Sequence, residues 1–430
     1  MVLLLFVLLR QRSNRRSTYR IGMRYIVTGG AGFIGSNLAE RLARDHDVVI
    51  IDNLTTGRRE NIEHLIGHPR VTFIEGSVTD LDLLTDACAG ADGIFHQAAI
   101  ASVPRSVEKP LETNAVNVGG TVNVLWAAKE CGVPTVVAAS TSAIYGDDPV
   151  FPKHETMAPT PLSPYAVSKL AGEYYGKVFS DLYGIRTAFL RYFNVFGPRQ
   201  DPNSEYAAVI PKFVTRLLAG KPPIIYGDGE QTRDFIFVAD VVRANIQAME
   251  GDARGVFNIA GGRRISLNEL AACLCGITGM HARPLYGPPR AGDVRDSLAD
   301  ISRARDAFGF SPRNTVDEGL RETLVSSLQK DLQRGRQRRD HVKVVEVYQC
   351  RREVGVRRLS WRIWACLLHR TKNTVVPTPR PASSPPPKCV AIAGGNPCYG
   401  HVRSARALTP AGGHTCARYT RPQTHAVNSN

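Results

Sequence analysis

Long apolar runs are missing from this chain. The longest, Met1–Leu9, falls far short of the roughly 20 residues that cross a bilayer as a helix. Its charges follow the apolar part instead of preceding it, and no small-residue cleavage site comes after. Neither a membrane span nor a secretory leader is expected. Cysteines at a functional spacing are missing too. Four of the nine lie in the body, Cys88, Cys131, Cys273 and Cys275, and the one-residue gap between the last two suits neither a redox pair nor a zinc knuckle. They read as small buried hydrophobes in a reducing cytosol, so a cytoplasmic location is expected and no metal is implied. Acidic residues are scarce at the two ends. Residues 1–22 hold five Lys and Arg against no acid, and 331–430 hold 18 against 4, which leaves 31 basic and 35 acidic residues in 23–330. The net charge of +15 therefore belongs to the ends. The body shows no basic–aromatic interleaving, so no nucleic-acid partner is expected.

What is present is a chain of 430 residues with 43% hydrophobic content, ordinary for a globular protein of two or three domains. Residues 1–22 read as an extension upstream of a natural start at Met23, the alternative being a weak membrane-surface anchor. Residues 331–430 are Arg-rich and then Pro- and Ser-rich (PTPRPASSPPPK) without sustained period, and they read as a disordered tail. Within that tail WRIWACLL is too short for a membrane span and too isolated for a core.

The stretch Tyr25–Gly35, YIVTGGAGFIG, reads as strand, tight turn and helix, with Ile34, Leu38 and Leu42 on one helical face. Its glycines fit Gly30-x-Gly32-x-x-Gly35 or Gly29-x-x-Gly32-x-x-Gly35. Either spacing lets backbone N–H groups approach a pyrophosphate at the helix N-terminus. A second strand, Val48–Ile51, ends in Asp52, whose carboxylate can accept from both ribose hydroxyls of an adenosine and repels a 2′-phosphate. NAD is the expected cofactor. Further strands follow at Val71–Glu75, Gly93–Gln97, Thr135–Ser140 and Arg186–Tyr192, with helical stretches at Leu111–Lys129 and from Ser163-Pro164 onward. On that last helix Tyr165 and Lys169 are i,i+4 neighbours and reach one spot. The predicted fold is α/β: a Rossmann-type doubly wound parallel sheet over 23–193, rejoined by 237–262. A smaller α/β substrate-binding lobe comes chiefly from 194–236 and 263–330, over the carboxyl ends of the strands.

The motifs DNLTTG, HQAAIASVPRS, SPYAVSK, RYFNVFGPRQDP and YAAVIPKF resemble the nucleotide-sugar epimerases of the extended short-chain dehydrogenase/reductase family, across 23–328. The resemblance implies that Thr141, Tyr165 and Lys169 are catalytic, with the tyrosine as base and its proton affinity lowered by the Lys169 ammonium and the nicotinamide charge. It sets Gly29, Gly32, Phe33, Ile34, Gly35, Asp52, Asn53, Gly57, Ser77, Val78, Gln97, Ala98, Ala99, Asn117 and Tyr192 against the cofactor. Ser77 stands where the family usually has an acid facing the adenine amine. Toward a UDP-sugar it sets Ser102, Thr141, Ser142, Val209 and Tyr226. Asn194 and Arg233 would meet the diphosphate, and Arg290 and Asp293 the uridine ribose. Ser297 takes the place of a tyrosine found in glucose-restricted members, which leaves room for a 2-acetamido group.

Dehydratases and decarboxylases of this group carry acids just after the catalytic hydroxyl; here stand Ser142 and Ala143. The expected reaction is therefore 4-epimerisation, on UDP-glucose and UDP-galactose and on their 2-acetamido counterparts. Family members commonly dimerise through a four-helix bundle, and 165–182 is a candidate contributor. Two alternatives stay open: another NAD-dependent nucleotide-sugar enzyme on the same scaffold, and a non-enzymatic NAD-bound regulator working through the basic ends.

Overall fold

The computed structural model describes residues 22–202, 208–289 and 295–333. Buried runs of Val and Ile make the first two strands, β1 (Arg24–Thr28) and β2 (Asp47–Asp52), with helix α1 (Phe33–Leu42) between them. The chain then lays down β3 (Val71–Glu75), α2 (Leu81–Cys88) and β4 (Gly93–His96). Short helices α3 (Val103–Glu108) and α4 (Pro110–Asn114) lead through a π turn, Ala115–Gly119, into α5 (Gly120–Glu130). Next come β5 (Thr135–Thr141), α6 (Pro164–Tyr183) and β6 (Arg186–Tyr192). The helical stretch expected over Leu111–Lys129 runs unbroken from Pro110 to Glu130, with one π turn inside it centred on Asn117.

Beyond β6 follow β7 (Val195–Phe196), α7 (Val209–Leu218), β8 (Ile224–Tyr226), β9 (Thr232–Asp234), β10 (Ile236–Phe237) and α8 (Val238–Glu250). The last elements are β11 (Gly255–Ile259), β12 (Arg264–Ser266), α9 (Leu267–Thr278), β13 (Leu285–Gly287), α10 (Ser302–Phe308) and α11 (Val316–Gln333). Seven strands form one sheet in the order β11-β6-β5-β4-β1-β2-β3, every adjacent pair parallel. The strand order reverses between β1 and β4, and at such a switch point the carboxyl ends of the strands open a crevice. One face of the sheet is covered by α1 and α8 around Leu38, Val241 and Phe257, the other by α2, α5 and α6 around Leu84, Val124 and Phe179. A separate cluster unites α7, α9 and α11 through Phe213, Leu270 and Leu320. Among the described residues no helix is long and apolar enough to cross a membrane.

Helix α6 turns most of its apolar residues outward: Val167, Tyr174, Val178 and Leu182 are exposed, Leu182 to 68%. Apart from Phe179 the buried face is made of small and polar groups, Ala166, Ser168, Lys169, Gly172, Glu173 and Gly176. At Gly176 a Cβ would lie 2.0 Å from Phe189 Cε2, so only glycine lets the helix lie this close to β6.

Candidate active site

Where the strand order reverses, a cavity of about 350 Å³ opens along the carboxyl ends of β1 to β6. Phe33, Ile34 and Gly35 line it at the first turn of α1, whose cap residue Gly32 has no side chain to cover the open N–H groups. Those donors, together with the positive end of the helix, fit a pyrophosphate. Two glycines carry the turn for different reasons. Gly29 has φ +67°, and a Cβ there would lie 2.6 Å from the Ala98 nitrogen; a Cβ on Gly35 would lie 2.2 Å from the Gly29 carbonyl oxygen. The turn is therefore packed backbone to backbone, and ligand approach is only part of why glycine is needed.

Asp52 ends β2 with its carboxylate buried at the cavity wall, accepting from the Ala31 N–H at 2.9 Å and the Leu54 N–H at 2.8 Å. The Gly32 N–H is a third backbone donor to this group, and the remaining acceptor capacity of the two oxygens can take ribose hydroxyls. Burial raises the carboxyl's proton affinity and the backbone donors oppose it. Gly57 stays off the cavity wall and sits behind this group, where a Cβ would come within 2.6 Å of an Asp52 oxygen. Asn53, Ser77, Val78, Gln97, Ala98, Ala99 and Tyr192 also line the cavity. The Ser77 hydroxyl is already engaged with Thr79, 2.8 Å away. Glycine turn, helix end and acid together fit the adenosine diphosphate of a dinucleotide.

Tyr165 and Lys169 line the deep end of the same cavity, and Thr141 hydrogen-bonds the Tyr165 hydroxyl. Ser163 caps α6 by accepting from the Ala166 N–H at 3.2 Å, and the buried Ser106 hydroxyl accepts from the Tyr165 N–H at 3.0 Å, so the tyrosine is fixed at its backbone. Burial pushes the Tyr165 phenol above its ordinary value, and the hydrogen bond with Thr141 opposes that shift. Lys169 is itself brought down to about 8 by burial, against the opposing charge of Glu173.

Asn117, Ser102 and Ser142 are, like Gly57, off the cavity wall. Asn117 does not line the cavity; its side chain accepts from the Ile100 N–H at 2.8 Å and donates to the Ser168 hydroxyl at 3.0 Å, tying the loop after β4 to α6. Ser102 caps α3 by accepting from the Arg105 N–H at 3.2 Å. Ser142 opens a single 3₁₀ turn, Ser142–Tyr145, behind Thr141. A second cavity of about 270 Å³ is lined by Asn194, Val209, Tyr226, Gln231 and Arg233. Ser297 is not on its wall: its hydroxyl accepts from Asn194 Nδ2 and from the Asp234 N–H, both at 3.0 Å. Arg290 and Asp293 lie outside the described residues, as do 1–21 and everything beyond 333. Among the described residues no three His, Cys, Asp or Glu side chains are placed to hold a metal.

A buried histidine, missed in the sequence, sits under the floor. Thr121 Oγ1 donates to the Asn117 carbonyl, so toward His96 Nε2, 3.0 Å away, it can only accept, which leaves His96 Nδ1 to accept from Thr28 Oγ1 at 2.8 Å. Burial first, and the Lys169 charge second, hold its pKa down from 6.5 to about 3. The folded state thus favours neutral His96; its contribution is complete above pH ~6.5 and is lost as pH falls, by about 1.4 kcal/mol per pH unit. Urea unfolding at pH 7 and pH 5.5 should show that loss in the wild type and a flatter profile in His96→Gln; equal slopes would contradict it.

A parallel sheet with a glycine turn at its switch point, and a Tyr–Lys pair beneath it, defines an NAD-dependent enzyme of the short-chain dehydrogenase/reductase type. Residues 25–260 match the NAD dependent epimerase/dehydratase family. A UDP-glucose 4-epimerase of Mycolicibacterium smegmatis is 42% identical over 308 residues, covering 70% of this chain and 97% of that protein. Two solved structures are similar: a UDP-N-acetylglucosamine 4-epimerase from Methanobrevibacter ruminantium M1, 42% identical with a TM-score of 0.70, and a UDP-glucose 4-epimerase from Thermotoga maritima, 40% identical with a TM-score of 0.68. Each covers 72% of this chain and 100% of its own. The chain belongs to the NAD dependent epimerase/dehydratase family, and its cofactor is NAD.

Proposed function

We propose that this enzyme inverts C4 of UDP-hexoses, UDP-glucose and UDP-galactose and also their 2-acetamido counterparts, without releasing its cofactor. The observation that carries this reading is the pair Tyr165 and Lys169 on the wall of the dinucleotide cavity, with Thr141 hydrogen-bonded to the phenol and Ser142 and Ala143 following Thr141 where other reactions need an acid. Bound NAD supplies a hydride acceptor at C4 and returns the hydride. Thr141 holds the 4-hydroxyl, and Tyr165 takes its proton and later gives it back. Lys169, on the cavity wall, would hydrogen-bond the ribose of the bound cofactor and adds positive charge beside the phenol. With no acid after Thr141, the 4-keto sugar has only reduction open to it. Incubation of purified protein with the four UDP-sugars, without added cofactor, should interconvert each pair. A stable keto or decarboxylated product would instead assign another reaction of the family.

The second cavity is the place for the uridine diphosphate, where Arg233 offers a fork that binds phosphate oxygens in pairs and Tyr226 a ring face. Ser297 is the gate for the 2-substituent. Ser297→Tyr should cut turnover of the acetamido sugars about a hundredfold and that of UDP-galactose less than tenfold, and equal losses would reject the gate. A Ser297→Ala control reports the cost of losing the Asn194 and Asp234 hydrogen bonds alone.

The outward stripe of α6 exposes Tyr174, Val178 and Leu182, and α4, which packs against α6, exposes Leu111 at 86%. Exposed apolar side chains on adjoining helices fit a second copy of the chain. Light scattering should give a dimer, and Val178→Glu with Leu182→Glu should give a monomer; a wild-type monomer would refute the pairing.

A further inference from the structure

We infer that Glu173, joined to Arg191 and Ser140 beneath the cavity, is a positioning residue: it locks the Tyr165–Lys169 face of α6 in register with the strand ends bearing Thr141 and Tyr192, and supplies the negative charge that faces Lys169. The inference rests on the reading of Tyr165 and Lys169 as a working pair, and adds a third member to it.

Tyr165, Lys169 and Glu173 follow one another at i,i+4 spacing, so all three share one helical face. Glu173 Oε1 accepts from Ser140 Oγ at 2.6 Å and from Arg191 Nε at 2.9 Å, while Oε2 accepts from Arg191 Nη2 at 2.7 Å. Both side chains of the pair are only 4% exposed. In the sheet Ser140 is opposite Arg191, and Thr141 is opposite Tyr192. One carboxylate from the helix therefore grips two strands one residue before the groups that meet the ligand. On its far side Arg191 stacks over the Tyr145 ring at 4.8 Å, and the Tyr145 hydroxyl donates to Asn258 Oδ1 at 2.7 Å. Asn258 Nδ2 then donates to the Asp300 carbonyl at 3.1 Å, three residues from Ser297. The grip runs from the helix through two strands to the segment that carries the proposed gate.

Fold stability alone does not call for charges here. A buried ion pair is often replaced by apolar residues of similar volume with no loss, whereas removing one partner is strongly destabilising. Tyr165 shares the helix with Lys169 and stays neutral in the unliganded protein. Among groups on neighbouring elements, His96 on β4 is neutral, Arg191 on β6 is paired with Glu173 through Nε and Nη2, Tyr145 and Tyr192 are held protonated by burial, and Glu112 on α4 is paired with Arg105 at 2.6 Å. Glu173 is the charge that opposes the effect of burial on Lys169.

Glu173→Gln alone leaves the Arg191 charge uncompensated, so the test uses the full chain with Glu173→Leu and Arg191→Met together. The titration of Lys169 is read from the pH dependence of its acetylation by acetic anhydride, by mass spectrometry and without turnover. The midpoint should fall by about one pH unit. The alkaline limb of kcat for UDP-galactose should move down with it, so that the loss is about tenfold greater at pH 8.5 than at pH 6, with KM within threefold. An unchanged lysine titration, or a loss of rate equal at both pH values, overturns the inference and leaves a purely structural pair. Ser140→Ala cuts only the link to β5; it should lower kcat about threefold with the Lys169 titration unmoved, and a wild-type kcat removes the register part of the claim. If the wild type fails to invert UDP-galactose, the functional reading falls, while the acetylation result still decides whether Glu173 sets Lys169.

Discussion

Tyr165→Phe should lower the inversion of UDP-galactose by about a thousandfold or more while the protein still purifies with bound NAD. Positioned proton transfer contributes typically 10² to 10⁴ in rate, and here no second group can take the role. Thr141 hydrogen-bonds the phenol, and Lys169 has no acceptor once charged. The phenylalanine keeps the ring and its packing. It removes only the oxygen that carries the proton, so NAD retention and KM should stay close to wild type. Burial holds the Tyr165 phenol above its ordinary value, and positive charge beside it favours the ionised form. Release of the cofactor on denaturation, read by absorbance, together with steady-state rates, separates loss of chemistry from loss of cofactor.

Gly35→Ala should carry the second large effect, a loss of NAD affinity of about a hundredfold or more, with lowered thermal stability. The added Cβ would sit 2.2 Å from the Gly29 carbonyl oxygen and 2.9 Å from the Gly30 Cα. Both are backbone atoms, so neither can rotate aside. Overpacking of a tight site costs about 1–3 kcal/mol even where side chains give way. Relief requires α1 to move away from the turn, which takes the N–H groups of its first turn off the pyrophosphate position. Gly32→Ala is the internal comparison. Its Cβ would meet only the Gly29 oxygen at 3.1 Å, so its effect should be smaller. Fluorescence titration of the cofactor-stripped variants with NAD measures both; equal affinities for Gly35→Ala and wild type would contradict the packing account.

Much of this architecture is legible in the sequence because its signals are local. The glycine turn after β1, the Asp52 that closes β2, and the i,i+4 pair on α6 each need only a few neighbouring residues to be read. What was not legible depends on sheet register. Glu173 meets Ser140 and Arg191, and His96 meets Thr28 and Thr121, only because β1, β4, β5 and β6 lie side by side. No spacing announces such partners. Helix α6 is half legible. Its apolar stripe is its outer face, and the face against the sheet holds Gly172, Gly176, Ala166, Lys169, Glu173 and Phe179, so periodicity identifies the helix without telling which face meets the sheet. Asn117 fastens the loop after β4 to α6, a role that a middling helix former inside a π turn does not signal.

The central claim is that Tyr165 moves a proton at one sugar carbon while the hydride taken from that carbon goes back to it within a closed site. Incubation of the purified protein with UDP-galactose in deuterated water, with no cofactor added, tests this most directly. The account predicts UDP-glucose without deuterium at C4 and no accumulation of reduced cofactor. Deuterium at C4, or a keto product leaving with reduced cofactor behind it, would contradict it.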